Sequence, residues 1–123
     1  REQSHESALE NHSLSYWRIR ANMFDIRACL ADGYPFVFGF SVYSSFMSEE
    51  VAKTGIMPMP EKGESMLGGH AVMAAGYDND RRLLLVRNSW GKEWGDKGYF
   101  WMPYDYISKT KNCADFWTIR LVE

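Results

Sequence analysis

The sequence predicts an α+β fold built mainly from antiparallel strands that close toward a barrel, with a few short helices. Three observations point there. Over residues 35–43 Phe36, Phe38, Phe40 and Val42 fall on one side and Val37, Gly39, Ser41 and Tyr43 on the other, the period-two pattern of a half-buried strand. Two short apolar runs, residues 71–75 and 83–86, flank the polar stretch Tyr77-Asp78-Asn79-Asp80, which is hairpin chemistry. Glycines and prolines punctuate the remainder so often that long helices have little room.

The chain has 123 residues, enough for one domain or a large piece of one. Hydrophobic residues make up 46% and aromatic residues 15%, which argues for a packed core rather than disorder. A formal net charge of −2 offers no basic surface, so no nucleic-acid partner is expected. Nor does any apolar run approach the roughly 18 residues of a bilayer span, so no membrane partner is expected. Because the chain opens on Arg1 rather than Met, the sequence suggests a processed, truncated or cleaved product. Two cysteines, Cys29 and Cys113, are too few for a disulfide framework. They could pair with each other, pair with cysteines of an absent segment, or stay reduced.

In chain order, residues 1–15 form a polar segment carrying Glu2, Glu6 and Glu10, expected to fray or to pack on something outside the chain. Residues 16–123 form the folded unit. His5 and His12 would share one face of a helix, but no other ligand lies at suitable spacing, so no metal site is expected. Residues 15–20 alternate, with Tyr16, Arg18 and Arg20 opposite Trp17 and Ile19, as in an edge strand. Residues 22–32 read as a helix. Asn22 can cap it, Met23, Ile26 and Leu30 recur at helical spacing, and Gly33 sits where helices stop. Cys29 lies beside that stripe and reads as a buried structural thiol.

Ser44 or Ser45 can cap a short helical turn over residues 46–52 that Gly55 ends. Residues 56–67 read as a loop whose methionines, Met57, Met59 and Met66, either fill the space beneath it or touch a ligand. Further on, residues 99–102 form a strand stopped by Pro103, residues 104–108 a turn or short helix, and residues 116–121 the last strand.

The chemistry gathers around His70. It opens the run 71–75, and the hairpin can return the chain so that Asn88, at the end of the next run, lies beside it. A side-chain amide accepting from one ring nitrogen fixes the tautomer and leaves the other nitrogen free to move a proton, which is the orienting role in nucleophilic catalysis.

The block Gly68-Gly69-His70-Ala71-Val72, followed by Asn88-Ser89-Trp90-Gly91 and then Trp94-Gly95 and Gly98-Tyr99, resembles the His and Asn blocks of papain-like cysteine peptidases. More loosely, the likeness extends upstream through residues 33–37. It implies the papain-like cysteine peptidase fold, mainly its β-barrel-like right-hand half, with antiparallel strands and a few short helices. It also implies a general base and acid in His70, an orienting partner in Asn88, a shield for their hydrogen bond in Trp90 and a cleft-lining Trp94. Gly69, where a bulky residue would overhang the cleft, leaves that edge open. Phe36 is either a wall of the pocket that selects the side chain before the main specificity position, or simply core. No cofactor and no metal are implied. As for compartment, only the family suggests one, a secreted or lysosome-like location.

In such enzymes the nucleophile block lies roughly 130 to 150 residues before the His, whereas 69 residues precede His70 here. Cys29 has no glycine-rich turn to present it, and Cys113 follows the Asn block. The expectation is therefore the His/Asn-bearing half of a cysteine endopeptidase, inactive alone. Its partners would be a peptide or protein substrate and a missing Cys-bearing half or companion chain, with self-association when the half stands by itself. Two alternatives stay open: a non-catalytic peptide- or protein-binding module derived from the same fold, and another Cys/His acyl-transfer enzyme, against which the Trp/Gly loop argues.

Overall fold

A computed structural model describes residues 13–122, so His5, His12 and most of the polar segment 1–15 lie outside the described residues. The chain runs β1 (Ser13–Arg18), α1 (Met23–Ala31), β2 (Phe36–Tyr43), a 3-10 turn (Ser44–Met47), α2 (Glu49–Thr54), β3 (Met66–Asp78), β4 (Leu83–Arg87), β5 (Tyr99–Pro103), α3 (Tyr104–Ser108) and β6 (Cys113–Val122). All strands pair antiparallel in one six-stranded sheet, ordered β1-β6-β2-β3-β4-β5. The first and last strands are thus neighbours. Among the described residues β1 and β5 are the outermost strands, and β5 takes one further parallel bridge, between Trp101 and Ile56, on its outer side.

The register sorts side chains onto two faces. Phe36, Phe38 and Phe40 stand opposite Ala74, Val72 and His70. Together with Leu84, Val86, Phe100, Met102 and Phe116 they form the inner, buried face. Ile26 and Cys29 of α1, Phe46, Val51, and Tyr104, Tyr106 and Ile107 of α3 cover it. Aromatic rings interlock through this layer, with Phe38 stacked on Phe116 at 5.3 Å and Phe46 edge-on to Phe100 at 4.8 Å. The outer face presents Tyr16 opposite Ile119 and Val37 opposite Met73, all four exposed.

Helix α1 begins and ends as its sequence dictates. Asn22 Oδ1 accepts from the Asp25 N–H at 2.8 Å. At the other end Gly33 takes φ +91°, the Tyr34 N–H reaches the Cys29 carbonyl at 3.1 Å and the Gly33 N–H reaches Leu30 at 3.0 Å. That double closure is a Schellman motif. Beside it the Cys29 thiol is buried and donates to the Tyr34 carbonyl at 3.3 Å.

Four expectations change. The cap of α2 is Ser48, whose Oγ accepts from the Val51 N–H at 3.2 Å, because Ser44 and Ser45 are taken up in the preceding 3-10 turn. Strand β3 starts at Met66 rather than after His70, since β2 pairs with it as far as Met66 and draws the end of the supposed loop into the sheet. Of the three methionines only Met57 is buried; Met59 and Met66 are exposed. Strand β6 begins at Cys113, where it pairs with Phe40.

Candidate active site

Strands β3 and β4 form the expected hairpin, with Met73 opposite Arg87. Their connection is held by Asp78, which accepts from the Asp80 N–H at 3.0 Å and pairs with Arg81 at 2.8 Å. One step past the last paired residue of β4, Asn88 turns to the inner face, the face on which His70, Val72 and Ala74 alternate. His70 Nε2 and Asn88 Oδ1 lie 2.8 Å apart.

The protonation pattern follows from donors and acceptors. The Ser89 N–H also donates to Asn88 Oδ1, at 2.7 Å, and a backbone N–H can only donate. Flipping the amide would set its NH₂ against that N–H, so the oxygen faces the ring. Nε2 must then carry the proton it donates to Oδ1. In the neutral ring Nδ1 is left with a free lone pair, and no group among the described residues engages it. Asn88 itself is 7% exposed, which shelters the bond from competing water. Its Nδ2 is buried without a partner among the described residues.

Two aromatic rings pack against the imidazole. Trp90 stacks on it with centroids 5.3 Å apart and planes 16° from parallel, and Phe40 approaches at 5.8 Å. Trp94 meets Trp90 edge-on at 5.1 Å, and Phe46 touches both indoles at 5.7 and 5.6 Å. The alternation of β2 made Phe40 visible in the sequence as an inner-face residue. Phe46 carries no periodic signal of its own, and its part beneath both tryptophans emerges only from the fold.

The loop bearing the two tryptophans is clamped to the end of α2. The Gly95 N–H donates to the Ala52 carbonyl at 2.6 Å. Gly55 and Gly95 adopt φ +74° and +64°, and a Cβ on Gly95 would come within 2.5 Å of the Tyr99 carbonyl oxygen. Glycine is thus required at position 95 by both conformation and space.

The remaining sequence candidates fall in different places. Gly69 is exposed, and a Cβ there would meet nothing nearer than the Phe40 carbonyl oxygen at 4.0 Å, so the edge before His70 is open. Trp94 is half-buried against Phe46 and Phe100. Phe36 is 1% exposed within the aromatic layer, covered by this chain's own residues. It belongs to the core, and the accessible side of the strand at that level is Val37. Neither cysteine is hydrogen-bonded to His70: Cys29, on the buried side of α1, donates to the Tyr34 carbonyl, and Cys113 lies against Met102 and the Tyr106 carbonyl, where burial pushes its thiol up from 9.0 to about 12. Among the described residues no group of His, Cys, Asp and Glu could hold a metal ion, and no helix is long and apolar enough to cross a membrane.

A family model for papain family cysteine proteases matches residues 1–115. The chain belongs to the papain family. An uncharacterized peptidase C1-like protein of Acanthamoeba polyphaga mimivirus is 48% identical over 97 residues, covering 79% of this chain and 31% of its own length. A cathepsin B-like protein of Giardia intestinalis is 38% identical over 78 residues, covering 61% of this chain and 24% of its own length. Among solved structures, xylellain, a cysteine protease from Xylella fastidiosa, superposes with a TM-score of 0.82 at 47% identity, over 89% of this chain and 40% of that one. A procathepsin B from Trypanosoma congolense, at 20% identity and a TM-score of 0.60, shares the fold. The papain-like α+β architecture is therefore that of this chain. Papain-family proteases are thiol proteases that act on peptide substrates, and the chain spans less than half the length of each of these proteins.

Proposed function

We propose that this chain supplies the general base and its orienting amide to a papain-like cysteine endopeptidase, with the nucleophilic thiol provided by polypeptide outside these residues. The observation that carries the reading is the 2.8 Å contact between His70 and Asn88, which turns Nδ1 outward with its lone pair free. A binding surface has no chemical need for an imidazole so constrained.

The proposed steps follow from the ring's two nitrogens. A thiol placed at Nδ1 transfers its proton there and becomes the attacking thiolate, while Nε2–H keeps its bond to Asn88 Oδ1. The thiolate adds to the scissile carbonyl. Imidazolium then protonates the departing amine from Nδ1, leaving an acyl-enzyme. Water, deprotonated at the same nitrogen, hydrolyses the thioester and restores the thiol. Proton transfers of this type each contribute roughly a hundredfold to ten-thousandfold. Trp90, stacked on the ring, keeps it from rotating and limits water access to the hydrogen bond. Trp94 and the open edge at Gly69 border the cleft.

Residues 16–123 act in this reading as the His/Asn-bearing half. The exposed apolar residues Tyr16, Val37, Met73 and Ile119 on the outer face support contact with further polypeptide, and self-association when none is present.

Intact mass of every chain present, before and after an irreversible thiol-directed peptide inhibitor, tests the proposal. The label should land on a cysteine outside these residues, and His70→Ala should suppress labelling. Labelling of Cys29 or Cys113, or metal-independent turnover by the pure 123-residue chain, would overturn it.

A further inference from the structure

A cavity of about 410 Å³ that borders Asn88 but not His70 is lined by Arg87, Asn88, Ser89, Lys92, Lys97 and the glycines Gly91 and Gly98. Three of its side chains are cations, and no carboxylate lines it. The ion pairs among the described residues engage Arg18, Arg20, Arg81, Arg82 and Lys109, and none of them takes Arg87, Lys92 or Lys97. The loop's own acids are directed elsewhere: Asp96 accepts from the Trp101 indole at 3.0 Å, and Glu93 is exposed outside the lining.

The backbone adds donors. Gly91 takes φ +98°, and the successive N–H groups of Gly91 and Lys92 donate no hydrogen bond among the described residues. Unengaged successive amides at a positive-φ glycine, ringed by lysine and arginine, are the ingredients of an anion-binding concavity. In a chain of net charge −2 such a concentration of unpaired positive charge is local, not a property of the whole surface.

We propose that this cavity binds a small oxyanion: a free phosphate or sulfate, or the carboxylate of an acidic residue in a substrate. The ligand would sit against Asn88 and Ser89, the two residues whose amide oxygen and N–H fix the His70 ring, so occupancy is coupled to the orientation of that ring. This coupling rests on the catalytic reading above; the binding itself does not.

Calorimetry on the full protein that carries these residues, with sodium sulfate and sodium phosphate against sodium chloride at equal ionic strength, is the direct test. Saturable binding of the oxyanions but not of chloride is expected. Lys92→Gln with Lys97→Gln should weaken it about tenfold or more, since charge-assisted contacts are being removed. Side-chain amide NMR signals of Asn88 should shift along the same binding curve. A matched peptide pair, Glu or Gln beyond the scissile bond, separates the two sources. A lower KM for the Glu peptide that sulfate abolishes assigns the site to substrate, and equal KM values with sulfate still bound assign it to the free ion. Absence of saturable binding, or equal affinity in the double variant, overturns the proposal. The catalytic reading is judged separately: His70→Ala leaves oxyanion binding in place, and failure of binding leaves the thiol-labelling result standing.

Discussion

Asn88→Ala offers the sharpest perturbation of the site, because the side chain performs one identifiable operation on the ring. Its Oδ1 accepts from His70 Nε2 at 2.8 Å, and during catalysis that donor would belong to an imidazolium. A hydrogen bond to a charged group contributes about 1.5–3 kcal/mol, and at about 1.4 kcal/mol per decade its loss should lower kcat/KM by about 10- to 150-fold. The lower part of that range is expected. Trp90 remains stacked on the imidazole at 5.3 Å and 16°, and Phe40 remains at 5.8 Å, so the ring keeps two of its three restraints. Removing both the amide and the indole should therefore cost more than the two single changes combined, because each alone leaves the other to hold the ring. The assay is hydrolysis of a peptide amide by the full protein, with active enzyme counted by thiol-directed titration so that unfolded molecules do not enter the rate. Asn88→Ala within about twofold of the parent, or strict additivity with Trp90→Ala, would refute the argument.

Two further predictions address the scaffold. Gly95→Ala forces a Cβ to within 2.5 Å of the Tyr99 carbonyl at φ +64°, whereas Gly33→Ala, at φ +91°, meets nothing within 4 Å. Gly33→Ala should therefore cost only the left-handed backbone penalty of about 1–2 kcal/mol. Gly95→Ala should lose clearly more stability, and turnover with it, in thermal unfolding and rate measurements. Cys113 concerns pH. Its thiol is neutral in the folded protein up to about 12, against an ordinary value of 9.0. Only the unfolded chain ionises it between those values, so its contribution is fully present below pH 9 and is lost as pH rises toward 12. Denaturant titrations across that window should show stability falling more steeply in the parent than in Cys113→Ala, and equal slopes would count against the assignment.

What the sequence disclosed and what it withheld divide along the range of the interactions. Helix α1 was legible to within one residue at each end because Asn22 and Gly33 act within one turn of it, and β2 was legible because alternation is a local signal. The second helix shows the limit. Ser44, Ser45 and Ser48 are all competent caps, and it is the 3-10 turn Ser44–Met47, bonded to the following loop where Glu64 accepts from the Ser45 N–H at 2.8 Å, that leaves Ser48 at the start of the helix. Alternation likewise told that Phe36 and Val37 face opposite ways but not which way the cleft lies; only the layer formed with Phe38 and Phe116 decides it. The placement of β6 pairs it with β1 about a hundred residues away and with β2 more than seventy residues away, separations for which no local pattern exists. The juxtaposition of His70 and Asn88 sits between these extremes. A hairpin brings their neighbourhoods together, and register then sets both on the inner face, His70 opposite Phe40 and Asn88 just beyond Arg87. A one-residue slip in that hairpin would turn Asn88 to the outer face and leave the imidazole with the tryptophan alone. The same register that buries Val72, Ala74 and Val86 therefore fixes the geometry on which the proposed chemistry depends, so hairpin packing and ring orientation should fail together.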